Sequence, residues 1–269
     1  MEDKQLVKGG SIGKLKKIIA QAGIQQQFKG ALKENSDAFF VSLVELFSSE
    51  TNLQDCDPTL VVMEALKAAT LKLPINKNLG QAWIVSYKKD GVRIPQFQIG
   101  YKGYIQLAIR TGEYKYINAD VLYEGEYIDF DKLSGRMKIC GEPESNNVFG
   151  YFSYIETNNG FKKAMSWTKE TMISHAKRYS KSYGKKYSPW KTEEDKMGVK
   201  TMLKRLLGSG YAPISIEMSK AFLLDSDDMD FRKPYEQDTE NANAEVIDTE
   251  PEIQNEPKPV EQSEDNPGF

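Results

Sequence analysis

The chain has 269 residues, enough for one large domain or two small ones, and its net charge of −3 is small. No apolar run is long enough to span a membrane and no signal peptide opens the chain, so we expect a cytoplasmic protein without a membrane partner. Two distant cysteines and one histidine exclude a structural zinc site of the usual kind.

The small net charge conceals a division between two parts of the chain. Residues 1–222 hold 33 Lys/Arg and 24 Asp/Glu, a net charge of +9, whereas residues 223–269 hold three Lys/Arg and 15 Asp/Glu, a net charge of −12. A basic body of this kind predicts a polyanionic partner. The acidic end is rich in Pro, Asn, Glu and Gln, a composition that predicts a disordered tail.

Helices are predicted over the first part of the chain. Residues 1–13 are polar and contain glycines, so we expect a loose segment there. Residues 14–32 carry apolar side chains at helical spacing, which predicts an amphipathic helix that packs on its own domain or, alternatively, on a neighbouring subunit. Two more helices are predicted. One covers residues 36–47, and the other begins with Asp57 as N-cap and Pro58 as first residue and continues over the apolar residues 60–73.

The next stretch, residues 80–112, predicts a β-hairpin followed by a short helix. Residues 81–87 alternate apolar and polar side chains, Lys88-Lys89-Asp90-Gly91 has the composition of a tight turn, and residues 92–99 return as the second strand. The segment Gly100-Tyr101-Lys102-Gly103 then breaks the strand before a helix that ends at Gly112. Helix N-terminal amides beside a lysine predict a position for a phosphate group.

Antiparallel strands follow, and they decide the fold class. Strands are predicted over residues 114–130 (interrupted at Glu124-Gly125), 136–140, 148–155 and 161–167, with a hairpin signal at Asn158-Asn159-Gly160. Strands between helical blocks predict an α+β fold in which antiparallel hairpins or a small sheet pack on helices.

The region from Gly160 to Gly210 is the most basic part of the chain, with 13 Lys/Arg against four acids and six aromatic residues. Residues 180–190 read as a loop that interleaves lysines with Tyr and Trp. This composition suits single-stranded DNA, whose bases stack and whose phosphates need cations, although a solvated basic loop with core aromatics is the alternative. A helix capped by Thr192 follows, and its lysines recur every four residues, which predicts a stripe of phosphate contacts.

Two motifs in these regions carry a resemblance to a known family. The first is LGQAWIVSY followed by FQIGYKGYIQLAIRTGEY. The second comprises Trp190, Lys196-Met197, Lys200-Thr201, Lys204-Arg205-Leu206 and Pro213-Ile214-Ser215-Ile216-Glu217. Together they resemble the RecT family of phage single-strand annealing proteins over about residues 57–222. The chain departs from the family pattern at Gln81 and Trp83, where His and Tyr are commoner, and at Gly208-Ser209-Gly210.

The resemblance implies ATP-independent binding and annealing of single-stranded DNA by an oligomeric recombinase, a ring or a helical filament, during homologous recombination in a bacterial host cell. We divide the chain into an N-terminal assembly segment (residues 1–34), a DNA-binding and annealing core (35–222) and the disordered acidic tail (223–269). The tail could fold back on the basic body as a DNA mimic, or recruit a partner exonuclease or a host single-strand-binding protein.

The candidate DNA-binding residues combine cations, aromatic rings and two amides. For phosphate we assign Arg93, Lys102, Arg110, Lys181, Lys185, Lys186, Lys200, Lys204 and Arg205. For stacking we assign Tyr101, Tyr187 and Trp190. For hydrogen bonds to bases or backbone we assign Gln96 and Gln98.

Other functions compete with this interpretation. A passive single-strand binder without annealing activity is the main alternative, and Gly100-x-x-Gly103 is similar to the GxxG clamp of KH domains. A metal nuclease would need acid pairs such as Glu124/Glu126 and Asp129/Asp131. His175 has no nucleophile or metal-ligand spacing around it, and the glycines near Lys14 do not match a phosphate-binding loop. We therefore expect no enzymatic activity, catalytic residue, metal or cofactor.

Overall fold

A computed structural model describes residues 2–180, 182–186 and 188–225, with residues 2–9 described for the backbone only. Within these ranges the chain forms ten α-helices and seven β-strands arranged in three antiparallel sheets. The predicted α+β class is confirmed.

Five helices precede the first strand. They are α1 (Glu2–Ile19), α2 (Ala22–Leu32), α3 (Ser36–Ser49), α4 (Thr51–Gln54) and α5 (Pro58–Thr70). The expectation of a loose segment over residues 1–13 is wrong, because α1 already begins at Glu2. The N-cap prediction at Asp57 is confirmed: its carboxylate accepts a hydrogen bond from the Thr59 amide at 2.8 Å.

The predicted hairpin and helix are confirmed at the centre of the chain. Strands β1 (Ala82–Lys89) and β2 (Val92–Ile99) pair in register, and Asp90 and Gly91 both take positive φ in the turn, at 49° and 84°. Pro95 is tolerated opposite Ser86 because the sheet has only two strands and both are edges. Helix α6 (Tyr101–Ile109) begins three residues earlier than predicted.

The remaining strands form a three-stranded sheet and a second hairpin. The sheet contains β3 (Tyr114–Tyr123), β6 (Val148–Thr157) and β7 (Lys162–Thr168), with β6 in the centre. The hairpin consists of β4 (Tyr127–Asp131) and β5 (Arg136–Cys140). Each of these strands lies within a few residues of its predicted position, because the turns between the strands contain glycines that can be recognised in the sequence.

Four helices close the described fold: α7 (Lys169–Tyr179), α8 (Pro189–Thr192), α9 (Glu194–Leu207) and α10 (Ile216–Leu224). The predicted cap at Thr192 is wrong. Ser188 caps α8 instead, accepting from the Trp190 amide at 3.3 Å, and Glu193 precedes α9 without a side-chain cap. Ser215 caps α10 and accepts a hydrogen bond from the Met218 amide at 3.1 Å.

Helix α9 packs across the three-stranded sheet at very close range. A Cβ built on Gly198 would lie 2.5 Å from the ring of Tyr151 on β6, so only glycine permits this approach. The Tyr151 hydroxyl also donates to Asp195 Oδ1 at 2.8 Å, which fixes the start of α9 on the sheet. The sheet therefore determines which sides of α9 remain available to solvent.

One hydrophobic core joins the helical and sheet parts. Leu15, Phe28 and Phe47 from the first helices share it with Leu206 of α9 and Met218 of α10. No helix in the described ranges is both long and apolar enough to cross a bilayer. The fold runs past the predicted core boundary to Leu224 and a buried Asp225, and the rest of the predicted disordered tail, residues 226–269, lies outside the described residues.

Candidate nucleic-acid interface

The β1–β2 hairpin presents six uncharged side chains on its outer face, below the Lys89–Val92 pair beside the turn. Strand pairing places Trp83 opposite Gln98, Val85 opposite Gln96 and Tyr87 opposite Ile94, all at least partly exposed. On the inner face, Pro95, Phe97 and Ile99 are buried. The Gln98 amide donates to the Tyr87 hydroxyl at 2.6 Å. The predicted polar candidates Gln96 and Gln98 therefore lie side by side among aromatic and aliphatic neighbours. We call these six residues the outer hairpin face.

The base of the hairpin brings Tyr101 and Lys102 beside this face. A Cβ on Gly100 would lie 2.1 Å from the Gly80 carbonyl oxygen, and one on Gly103 would lie 2.2 Å from the Gln81 carbonyl oxygen. Close packing therefore requires glycine at both positions, because the chain entering β1 crosses the start of α6. Lys102 is exposed and has no ion-pair partner among the described residues, so its ammonium is available to a phosphate.

Two predicted phosphate ligands are already engaged with protein groups. Arg93 lies on the inner side of the hairpin, where it donates to Ser86 Oγ at 3.3 Å and its Nε lies 3.4 Å from Asp55 Oδ2. The fork of Arg110 donates to the carbonyl oxygens of Leu71 and Lys72, both at 2.9 Å, at the end of α5. We assign Arg93 and Arg110 to holding the fold together.

The predicted lysine stripe on α9 turns from solvent into the core. Lys196 is exposed and pairs with Glu193 at 2.7 Å, Lys200 is half-buried, and Lys204 is only 4% exposed. Residues four apart are rotated by about 40° around a helix. Lys196, Lys200 and Lys204 therefore point in successively different directions, from solvent towards the core. Burial removes Lys204 from the surface that DNA could reach.

Asp225 is the buried partner of Lys204. Its carboxylate accepts hydrogen bonds from the Ile99 amide at 3.1 Å, the Tyr104 hydroxyl at 2.7 Å and the Lys204 ammonium at 2.9 Å. Burial favours a raised pKa for Asp225, but Lys200, Lys204 and these hydrogen bonds outweigh it and hold the pKa below its ordinary value. Asp225 is therefore ionised, and its hydrogen bonds connect β2, α6 and α9.

The remaining candidates lie in or beside the basic loop between α7 and α8 and on α9, and they differ in how far they are buried. Trp190 is 3% exposed, with its ring centroid 6.3 Å from that of Tyr183, so it belongs to the packed interior. Lys185 and Lys186 are exposed. Lys181 and Tyr187 lie outside the described residues. Arg205 is exposed on α9, with its guanidinium 4.6 Å from the centre of the Trp167 ring.

Two of the four acids of the nuclease alternative, Glu124 and Glu126, form hydrogen bonds that hold turns in place. Glu124 accepts from Asn147 Nδ2 at 3.0 Å and from Ser145 Oγ at 2.8 Å, and these hydrogen bonds lower the pKa of Glu124. Glu126 accepts from the Tyr123 amide at 2.7 Å. The described ranges contain no group of three or more His, Cys, Asp or Glu side chains placed to hold a metal ion.

Comparison with known proteins agrees with the motifs. The chain is 39% identical over 255 residues to the uncharacterized protein YqaK of Bacillus subtilis (strain 168), covering 94% of this chain and 85% of that protein. It is 27% identical over 221 residues to protein RecT of Escherichia coli (strain K12), covering 77% of this chain and 78% of that protein. The model of the RecT family matches residues 37–247. The chain belongs to the RecT family, and this membership supports a role in single-strand annealing during recombination.

Proposed function

We propose that this protein binds single-stranded DNA and anneals it to a complementary strand without ATP, acting as a homo-oligomeric ring or filament in phage-type recombination within a bacterial host. The observation that carries the proposal is the outer hairpin face. It is uncharged, contains Trp83 and Tyr87 for stacking and Gln96 and Gln98 for hydrogen bonds, and has the exposed Lys102 at its base.

In this mechanism cations hold the phosphates and leave the base edges free. Lys102, Lys185 and Lys186 are exposed, and phosphate contacts of this kind carry no sequence information. A second strand can then test for complementarity against the bound one. Stacking contributes about 1.4 kcal/mol per base-pair step, so pairing itself drives the reaction and no nucleotide hydrolysis is needed.

We also include Lys196 in the proposed path. Lys196 is exposed in the first turn of α9. Helix α9 packs against α6, whose first turn carries Tyr101 and Lys102.

The acidic tail enters the proposal in one of two roles. Residues 226–269 hold 14 Asp/Glu and three Lys/Arg, a net charge of −11. They could compete with DNA for the basic body, or recruit a partner exonuclease or single-strand-binding protein. Removal of the tail separates the two roles, because only the first predicts tighter DNA binding by the remaining chain.

The test measures annealing of two complementary dye-labelled oligonucleotides in ATP-free buffer with three proteins. The natural chain should accelerate annealing. Lys102→Ala should weaken single-strand binding and reduce the slope of log affinity against log salt by about 0.7, the effect of one phosphate contact. Lys132→Ala, an exposed lysine after β4, is the matched control and should behave like the natural chain. Inhibition of pairing by the natural chain would instead identify a passive binder.

A further inference from the structure

Five side chains from three elements form a continuous series of ring–ring and guanidinium–ring contacts, in which the ring pairs are tilted by 52° and 46°. Arg205 of α9 lies 4.6 Å from the Trp167 ring centre, and the Trp167 and His175 centroids are 5.0 Å apart. The His175 and Tyr179 centroids are 4.7 Å apart, and the Arg178 guanidinium lies 5.2 Å from the Tyr179 ring centre. We call this set the arginine–aromatic ladder.

Both ends of the ladder carry charge that the described protein does not neutralise. Arg178 and Arg205 are exposed, and no carboxylate in the described ranges pairs with either. Arg93, in contrast, contacts an aspartate, and Arg110 contacts two carbonyl oxygens. Between the two arginines, burial and the Arg205 charge lower the pKa of His175 to about 4, so the imidazole is neutral at pH 7.

The ladder is separate from the outer hairpin face. Arg205 follows Lys196 by nine residues on α9, which corresponds to a rotation of about 180° and a rise of roughly 14 Å. The two residues therefore lie on opposite sides of the helix. A nucleic-acid contact at Arg205 would be a second contact, independent of Lys102 and Lys196.

We propose that the arginine–aromatic ladder is a second binding site for single-stranded nucleic acid, in which Arg178 and Arg205 hold backbone phosphates and the rings of Trp167 and Tyr179 hold the two guanidinium groups in place. Stacking on a ring restricts a guanidinium before the ligand arrives, so less side-chain entropy is lost on binding. The stacked groups keep N–H donors at their edges for phosphate oxygens. The inference rests on the proposed function, since it adds a site for the same ligand.

The first test uses the full-length natural chain and a short oligothymidylate. His175 is the only histidine of the chain, so its ring protons give a single reporter inside the ladder in an NMR spectrum. Phosphate beside Arg205 would offset the positive charge that lowers the pKa of His175. We therefore expect the His175 signal to shift on addition of the oligonucleotide and its pKa to rise.

The second test compares the double variant Arg178→Gln/Arg205→Gln with Arg136→Gln, which removes an exposed arginine from β5. The double variant should bind oligothymidylate about ten-fold or more weakly at 0.1 M salt, with a salt slope reduced by roughly 1.4 for two lost phosphate contacts. Arg136→Gln should retain the natural affinity. Unfolding temperatures and the Lys102→Ala effect should be unaltered by the double substitution.

Two results distinguish failure of this inference from failure of the proposed function. If the natural chain binds oligothymidylate while the His175 signal and the double-variant affinity do not change, the ladder is a structural contact between α7, β7 and α9, and the proposed function stands. If the natural chain does not bind oligothymidylate at all, both proposals fail.

Discussion

The ammonium of Lys204 lies 2.9 Å from Asp225 Oδ2, and the two side chains are 5% and 0% exposed. This ion pair connects α9 to the residue that follows α10. Desolvating both charges is costly, so the pair contributes less to stability than its distance suggests. Removing Lys204 is a different matter, because the buried Asp225 charge would lose its ion-pair partner at 2.9 Å.

Lys204→Met should therefore destabilise the fold rather than weaken DNA binding directly. Loss of the Lys204 charge beside the buried Asp225 costs about 3 kcal/mol, which corresponds to a fall of roughly 10 °C in unfolding temperature for a domain of this size. Thermal unfolding followed by circular dichroism measures this. Lys196→Met on the exposed part of the same helix should change the temperature little, and an equal effect of the two substitutions would contradict the assignment of Lys204 to the core.

Gly100→Ala should be strongly destabilising, since its Cβ would meet the Gly80 carbonyl oxygen at 2.1 Å and backbone cannot move aside cheaply. We expect a loss of about 3 kcal/mol or more, in the range of severe core substitutions. Gly30→Ala in α2 is the control, because nothing lies within 4 Å of its Cβ. The control should be neutral or stabilising by about 0.5–1 kcal/mol. Comparable unfolding midpoints in urea for the two variants would refute the crossing at the hairpin base.

His175 should make the protein less stable in mild acid. Its pKa is about 4 in the folded chain, below the ordinary value near 6.5, so the unfolded chain binds more protons between these values. Stability is therefore complete above about pH 6.5 and decreases as the pH falls towards 4. Partial exposure reduces the expected loss at pH 5 to about 1 kcal/mol.

The measurement for this pH effect compares urea unfolding at pH 7.5 and pH 5 for the natural chain and His175→Gln. The variant cannot gain a proton at this position, so its loss of stability should be smaller by the same amount. An identical loss in both proteins would show that other groups determine the acid sensitivity.

Ending the chain after Asp225 should strengthen non-specific DNA binding at low salt, because a net charge of −11 is removed while the buried carboxylate stays. Fluorescence anisotropy with a single-stranded oligonucleotide at several salt concentrations measures the change. The difference between the full and shortened chains should fade as salt screens the tail. Equal or weaker binding by the shortened chain would favour recruitment of a partner protein by the tail.

Local signals in the sequence were enough for much of the fold. Asp90-Gly91 determines the hairpin turn, and Asp57 and Ser215 cap their helices within a few residues of themselves. Contacts between distant segments were not predictable in this way. Lys204 is buried because Asp225 meets it from beyond α10, and in sequence Asp225 is one acid among many at the start of an acidic segment.

For the candidate site, too, local signals were predictable from the sequence and contacts between distant segments were not. Gln96, Gln98 and Lys102 follow from strand alternation and a helix start, and they lie together. Trp190 follows a basic loop and was therefore a reasonable stacking candidate, yet its ring packs inside. The ladder combines Trp167, His175 and Arg205 from a strand and two helices, and only their spacing in the folded chain reveals it.

The most direct measurement of the central claim is an order-of-addition experiment without nucleotide. The protein is bound to one labelled strand, the complement is added, and the pairing rate and the strand lengths are recorded. The account predicts pairing faster than in the absence of protein, with both strands intact. Slower pairing would contradict annealing and leave a passive single-strand binder, and shortened strands would indicate a nuclease.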